Sequence, residues 1–152
     1  MKTVKILIII LNLYVGGFMI YGSLGKFKPT PKPTEIIEKV QNGEEVAPSE
    51  DILKIKNYIF GMKQSGFFWP FLGIMEFLAG FLLISQVFSR IGAIVALPLT
   101  VNIFLFHLFL EGDEIGELLQ MLALLIANII LIGATYKIWK PLLFDKDLVK
   151  VS

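Results

Sequence analysis

The sequence predicts an all-α fold: a four-helix transmembrane bundle with an amphipathic helix in its outer-side loop. Three observations lead there. Four long apolar stretches divide the 152 residues, at positions 6–25, 66–89, 91–110 and 118–136. Hydrophobic residues make up 55% of the chain and charged residues 18%, with a mean hydropathy of +0.73, whereas soluble domains carry about 25% charge. A single hydrophilic segment, positions 26–65, separates the first stretch from the rest. The length suits one membrane domain.

Each stretch matches the ~20 residues needed to cross a bilayer core of about 30 Å. Lipid cannot hydrogen-bond open backbone groups, so the stretches are expected to be helices. They do not alternate as barrel strands would. The first follows Lys2 and Lys5 and ends near Ser23-Leu24-Gly25, a weak leader-like pattern. Its apolar run is longer than a leader's, so a retained helix is expected. The second is interrupted only by Glu76. The third contains Pro98, which is expected to bend it and free the Ile94 carbonyl. The fourth follows an acidic turn, where Asp113 and Glu114 are expected to cap the helix and favour its N-terminus. No metal site is expected in that turn, because acids alone give no fixed ligand pattern.

The segment 26–65 opens with Pro29, Pro31 and Pro33, which favour a stiff extended exit. A short helix is expected over 34–41, ending near Asn42-Gly43. Ser49 suits the N-cap of a second helix. There Ile52, Ile55, Ile59 and Met62 form an apolar stripe, read as capping the bundle or lying on the membrane. Basic residues Lys2, Lys5, Arg90, Lys137, Lys140, Lys146 and Lys150 place both termini inside the cell, although the loop itself carries seven Lys.

Small residues suggest how the helices meet. Gly92 and Ala96, and Ala123 and Ala127, are spaced for close backbone approach. Gly73, Glu76, Gly80 and Trp69 share one face of the second helix.

Polar residues are the candidate functional groups. Glu76, Asn12, Asn102 and Asn128 each fall near the middle of a stretch. An ionised group at the bilayer centre costs roughly 2.5–3.5 kcal/mol, so Glu76 is expected to face inward and bond one of these amides, water or a proton. Taken alone, each Asn fits interhelical hydrogen bonding. His107, Gln120, Tyr21 and Lys26 are expected to form a polar mouth above Glu76. A His there can hydrogen-bond a quinone carbonyl or pass a proton. It can equally be a satisfied interfacial side chain. Tyr14 and Tyr21 share a face with Gly17 and fit interface anchoring.

Several classes are excluded. The absence of Cys removes thiol, disulfide and Fe–S chemistry. One His cannot supply a bis-His haem. A net charge of +1 provides no nucleic-acid surface. Residues 22–27 lack the spacing of a phosphate loop, and no hydrolase, zincin or dinucleotide motif occurs. No repeat supports an inverted-repeat transporter.

The order of motifs resembles the DoxX family of small bacterial membrane proteins. Tyr21-Gly22-Ser23-Leu24-Gly25-Lys26-Phe27 is similar to that family's first-span ending. Phe71 to Gly80, with Glu76, resembles its Glu-then-Gly second span. Arg90-Ile91-Gly92-Ala93 looks like the basic turn into the third, and Pro98 to Leu110, with Asn102 and His107, is similar to that span. The resemblance covers the four stretches, about 85–90 residues by span length, while the 26–65 loop is longer than the family's usual spacing. It implies a small multi-pass bacterial membrane protein associated with a redox or quinone-linked system, which the basic residues orient N-in and C-in in the inner membrane. Three functions follow as expectations. One is a membrane subunit binding a small hydrophobic molecule near Glu76, with a redox-enzyme partner. Another is a proton-coupled transport component, and the third an assembly scaffold. Quinone is the candidate ligand, lipid the surrounding partner and a homo-oligomer a candidate assembly. No cofactor-holding motif lies in the chain, and no catalytic residue is assigned.

Overall fold

The computed structural model describes residues 2–28, 38, 41–43, 50–112 and 114–143. Within them lie α1 (Lys2–Leu24), which tightens into a 3₁₀ turn at Gly25–Phe27, α2 (Glu50–Gln64), α3 (Phe68–Ile84), α4 (Ser89–Leu110), α5 (Ile115–Gly133) and α6 (Tyr136–Leu143). No strand occurs among the described residues.

The expected first and third stretches keep their identity as α1 and α4. The fourth begins earlier, at Ile115, and stops at Gly133, where α6 follows after a short turn. Sequence reading missed α6. The second stretch needs the largest revision, because 66–89 is not one helix. Gly66 has φ +74° and closes the turn after α2, its N–H bonding the Lys63 carbonyl at 3.1 Å. The Ser65 hydroxyl accepts from the Phe68 N–H at 2.9 Å and starts α3. At the other end Gln86 adopts φ +59°, a left-handed turn rare outside glycine. Its side chain donates to the Leu83 carbonyl at 3.2 Å and accepts from Asn12 at 3.0 Å, which fixes the reversal into α4.

The segments Lys2–Phe27, Ser89–Leu110 and Ile115–Gly133 are long and apolar enough to cross a membrane. At 17 residues, α3 reaches about 25 Å, and it departs from α2 at a 90° bend. α1 packs chiefly on α3, α4 packs on α3 and α5, and α5 returns to α1. Together they enclose a core of Val15, Met19, Ala79, Leu83, Ala96, Leu124 and Leu131.

Glycine sets the closest approaches. A methyl group at Gly80 would stand 2.6 Å from the Gly16 carbonyl oxygen, and one at Gly92 would stand 2.8 Å from the Leu83 nitrogen. Of the expected small pairs, Gly92 and Ala96 are both buried. Ala127 is buried but Ala123 is exposed, so that second pair is not a helix contact.

Phe71, Ile74, Phe77 and Phe81 on α3, and Ile126, Ile129 and Ile130 on α5, point outward. A water-soluble monomer does not display so continuous an apolar surface. This is a membrane protein, with lipid against that exterior.

Along α2, Ile55, Ile59 and Met62 are half-buried, while Ile52 is exposed. The helix is tied to α4 by Tyr58, whose ring lies 5.5 Å from Phe106 and whose hydroxyl lies 3.5 Å from Asn102 Oδ1. The prolines at 29, 31 and 33, the Ser49 cap and most of the expected 34–41 helix lie outside the described residues.

Candidate functional site: a buried ion pair beneath a cavity

Glu76 sits midway along α3 and is 2% exposed. It faces inward because α3 turns its glycines, and the acid between them, toward α1. Gly73 meets Lys26 and Phe27, Gly80 meets Gly16 and Ile20, and the Glu76 carboxylate lies beside Gly22. α1 runs antiparallel to α3, so the end of α1 reaches the depth of the acid. There the Lys26 ammonium donates to Glu76 Oε2 at 2.7 Å and to the Gly22 carbonyl at 3.2 Å. The Lys26 side chain is 14% exposed. The Trp69 ring lies 5.3 Å from the ammonium and shares a second cation, Lys63, at 5.0 Å.

The expected amide partner of Glu76 is therefore corrected: the partner is Lys26. An opposite charge offsets a buried carboxylate better than an amide does, and the antiparallel register carries the amides elsewhere. Asn12 bonds Gln86, ten residues from Glu76 in sequence and about 15 Å along the helix. Asn102 is exposed and turned toward Tyr58.

Asn128 is fully buried and serves α4. Its hydrogen-bonding surroundings orient the amide so that nitrogen donates to the Ala93 carbonyl at 3.0 Å. Its oxygen accepts from the Leu97 N–H at 3.0 Å and from the Thr100 hydroxyl at 3.1 Å. Ala93 and Leu97 are the two ends of one helical turn just before Pro98. The amide thus braces the helix beside its proline, a role that interhelical hydrogen bonding had predicted only in general form.

A cavity of about 180 Å³ opens over the ion pair, lined by Phe18, Met19, Gly22, Lys26, Glu76, Ile103, His107 and Met121. Among the predicted residues, Glu76, Lys26 and His107 therefore come together. Tyr21 is 79% exposed and, like the exposed Gln120, is not among the cavity's lining residues. Lys26 also borders a second cavity, of about 390 Å³, with Lys28, Lys63, Trp69 and Pro70. Sequence reading did not name Lys28, Lys63 or Gln86. One signal could have paired Lys26 with Glu76: Lys26 is the first charge after the first apolar run, Glu76 is the only charge within the second, and the signs are opposite.

His107 Nδ1 lies 2.7 Å from Glu111 and 3.7 Å from Glu117. Glu114 occupies the N-cap of α5 without a side-chain cap bond, so the expected capping by that residue is not made; Asp113 lies outside the described residues.

The site thus offers a fixed cation and anion, a ring nitrogen and an apolar chamber. Such a chamber can hold a small hydrophobic molecule by its polar end, or move a proton between the acid and a guest.

No match to the chain was found among curated proteins or among solved structures. The DoxX family model matches residues 7–108, more than half of the chain. The match takes in most of α1, the long loop with α2, α3 and nearly all of α4, but stops before α5, short of the four stretches expected. On that extent of agreement, the chain belongs to the DoxX family.

Proposed function

We propose that this protein is a membrane subunit of a redox or quinone-linked system that binds a small hydrophobic molecule over the Lys26–Glu76 pair. In this reading α3 is a fourth crossing, the protein sits in a bacterial inner membrane with both termini inside, and it works beside a redox enzyme. The observation that carries the proposal is the buried ion pair forming one wall of an otherwise mainly apolar chamber. Drug-sized sites occupy about 300–1,000 Å³. The smaller chamber suits a ring or headgroup, with any tail lying between helices or in lipid. Lys26 would donate to a carbonyl oxygen of the guest, and Glu76 would hold the ammonium in place. His107, which also lines the chamber, would donate or accept a proton there. For α3 as a crossing, support comes from its outward Phe and Ile side chains and a length within the usual range of about 17–25 residues.

The test is extraction of the detergent-purified protein followed by mass spectrometry. The expected result is a lipid-soluble carbonyl compound, near one per chain, lost from Lys26→Met. Equal recovery from that variant would refute the site. A second reading, proton-coupled transport, is favoured by the ionisable pair beside His107. It predicts proton flux in liposomes that disappears with Glu76→Gln.

A further inference from the structure

We propose a divalent transition-metal site formed by His107, Glu111 and Glu117 at the α4–α5 turn, at the rim of the Glu76 chamber. The three donor atoms lie within 4.8 Å of one another. His107 and Glu111 are one turn apart on α4, and the short connection brings Glu117 of the first turn of α5 onto the same side. Three donors about 2.0–2.1 Å from a tetrahedral metal stand about 3.4 Å apart. The observed Nδ1 separations of 2.7 and 3.7 Å bracket that value.

A second observation concerns His107 Nδ1. This atom is buried and has no hydrogen-bond partner among the described residues, although the Glu111 oxygen is only 2.7 Å away. The nitrogen and the oxygen converge at 2.7 Å without forming a hydrogen bond, and a cation shared between them would satisfy both. Among the described residues, no Lys or Arg forms an ion pair with Glu111 or Glu117.

One imidazole and two carboxylates suit Zn²⁺, Mn²⁺ or Fe²⁺ rather than Mg²⁺ or Ca²⁺, which favour all-oxygen shells. Three protein donors leave a coordination position for water or a guest. The same imidazole lines the chamber over Glu76, so the cation would border that space. The site does not depend on the quinone reading, and the sequence alone had argued against a metal here because it treated the acids apart from His107.

The test is calorimetric titration of the purified full-length protein with Zn²⁺, with Co²⁺ absorption as a second readout. One Zn²⁺ per chain is expected. Affinity should fall at least tenfold in His107→Ala and in Glu117→Gln, and change less than twofold in Glu114→Gln. Glu117 is exposed, so that variant tests the site without disturbing the core. Co²⁺ should give visible d–d bands in the unaltered protein and lose them in Glu117→Gln. The proposal is overturned by a chain that takes up no stoichiometric Zn²⁺. It is equally overturned if either ligand variant keeps full affinity, or if Glu114→Gln weakens binding as much as they do.

Discussion

Replacing Lys26 with Met should destabilise the protein more than any other single change at the chamber. The substitution keeps the apolar stem and removes the charge opposite Glu76. At 2.7 Å, an effective dielectric of about 20 gives a gross attraction of about 6 kcal/mol. Much of that is offset by the cost of burying both charges. What the variant reports is the cost of a carboxylate left 2% exposed and without its partner, about 3–5 kcal/mol for such pairs. Glu76→Gln should cost less, about 1–2 kcal/mol. Lys26 would still hold the Gly22 carbonyl at 3.2 Å and the Trp69 face, and is partly open to solvent. In the double variant neither charge remains, so its loss should be smaller than that of Lys26→Met alone. The assay is unfolding in mixed detergent micelles, followed by helical circular dichroism. A double variant whose loss equals the sum of the singles within about 0.5 kcal/mol would show that the two groups are not coupled, and the site would lose its foundation.

The α1–α3 contact makes a paired prediction: Gly80→Ala forces a methyl group onto the Gly16 carbonyl and should cost about 1–3 kcal/mol. Gly17→Ala meets nothing within 4 Å and should be neutral or gain up to about 1 kcal/mol; equal effects in the same micelle assay would refute the packing. Asn128→Leu strips the Ala93 carbonyl, the Leu97 N–H and Thr100 of a shared partner, and a loss of about 1–3 kcal/mol is expected, with none contradicting the brace. Because the chain has no Cys, single replacements Gly43→Cys and Val87→Cys can report topology through a membrane-impermeant maleimide. The two should label from opposite sides; labelling from the same side would remove α3 as a crossing.

The elements most legible in the sequence were those set by hydropathy over a full membrane width. α1, α4 and α5 follow from apolar runs with few interruptions. Glu76 was legible as an inward group because Gly73 and Gly80 share its helical face, and both pack on α1. The ends of α3 were not legible, since they depend on Gly66 and Gln86 taking left-handed backbone angles. Gln86 can do so because Asn12, 74 residues away, holds its side chain. The partners of the polar layer were hidden for the same reason. Helical position fixes which face a residue occupies, while the register between helices decides whether Asn12 or Lys26 reaches the acid. His107 and Glu111 are one turn apart and could have been joined by counting. Glu117 needed the geometry of the α4–α5 turn.

The Lys26–Glu76 pair is poor evidence for stability on its own. Well-packed apolar residues often replace a buried ion pair with no loss, and α1 and α3 are already locked together by the Gly16–Gly80 approach. Two uses remain for charges held at such depth. One is to set the register of α1 on α3. The other is to present a fixed dipole to a guest in the chamber. They separate in the double variant Lys26→Met/Glu76→Gln. If the pair only sets register, loss of both charges should disturb the Asn12–Gln86 bond farther along α1 and the α3–α4 reversal that depends on it. If it serves a guest, the helices should stay in place, held by glycine contacts, while the bound molecule is lost. The close Gly16–Gly80 contact lies between the ion pair and the Asn12–Gln86 bond along α1, so register has a second, independent lock. That redundancy favours the guest-binding role.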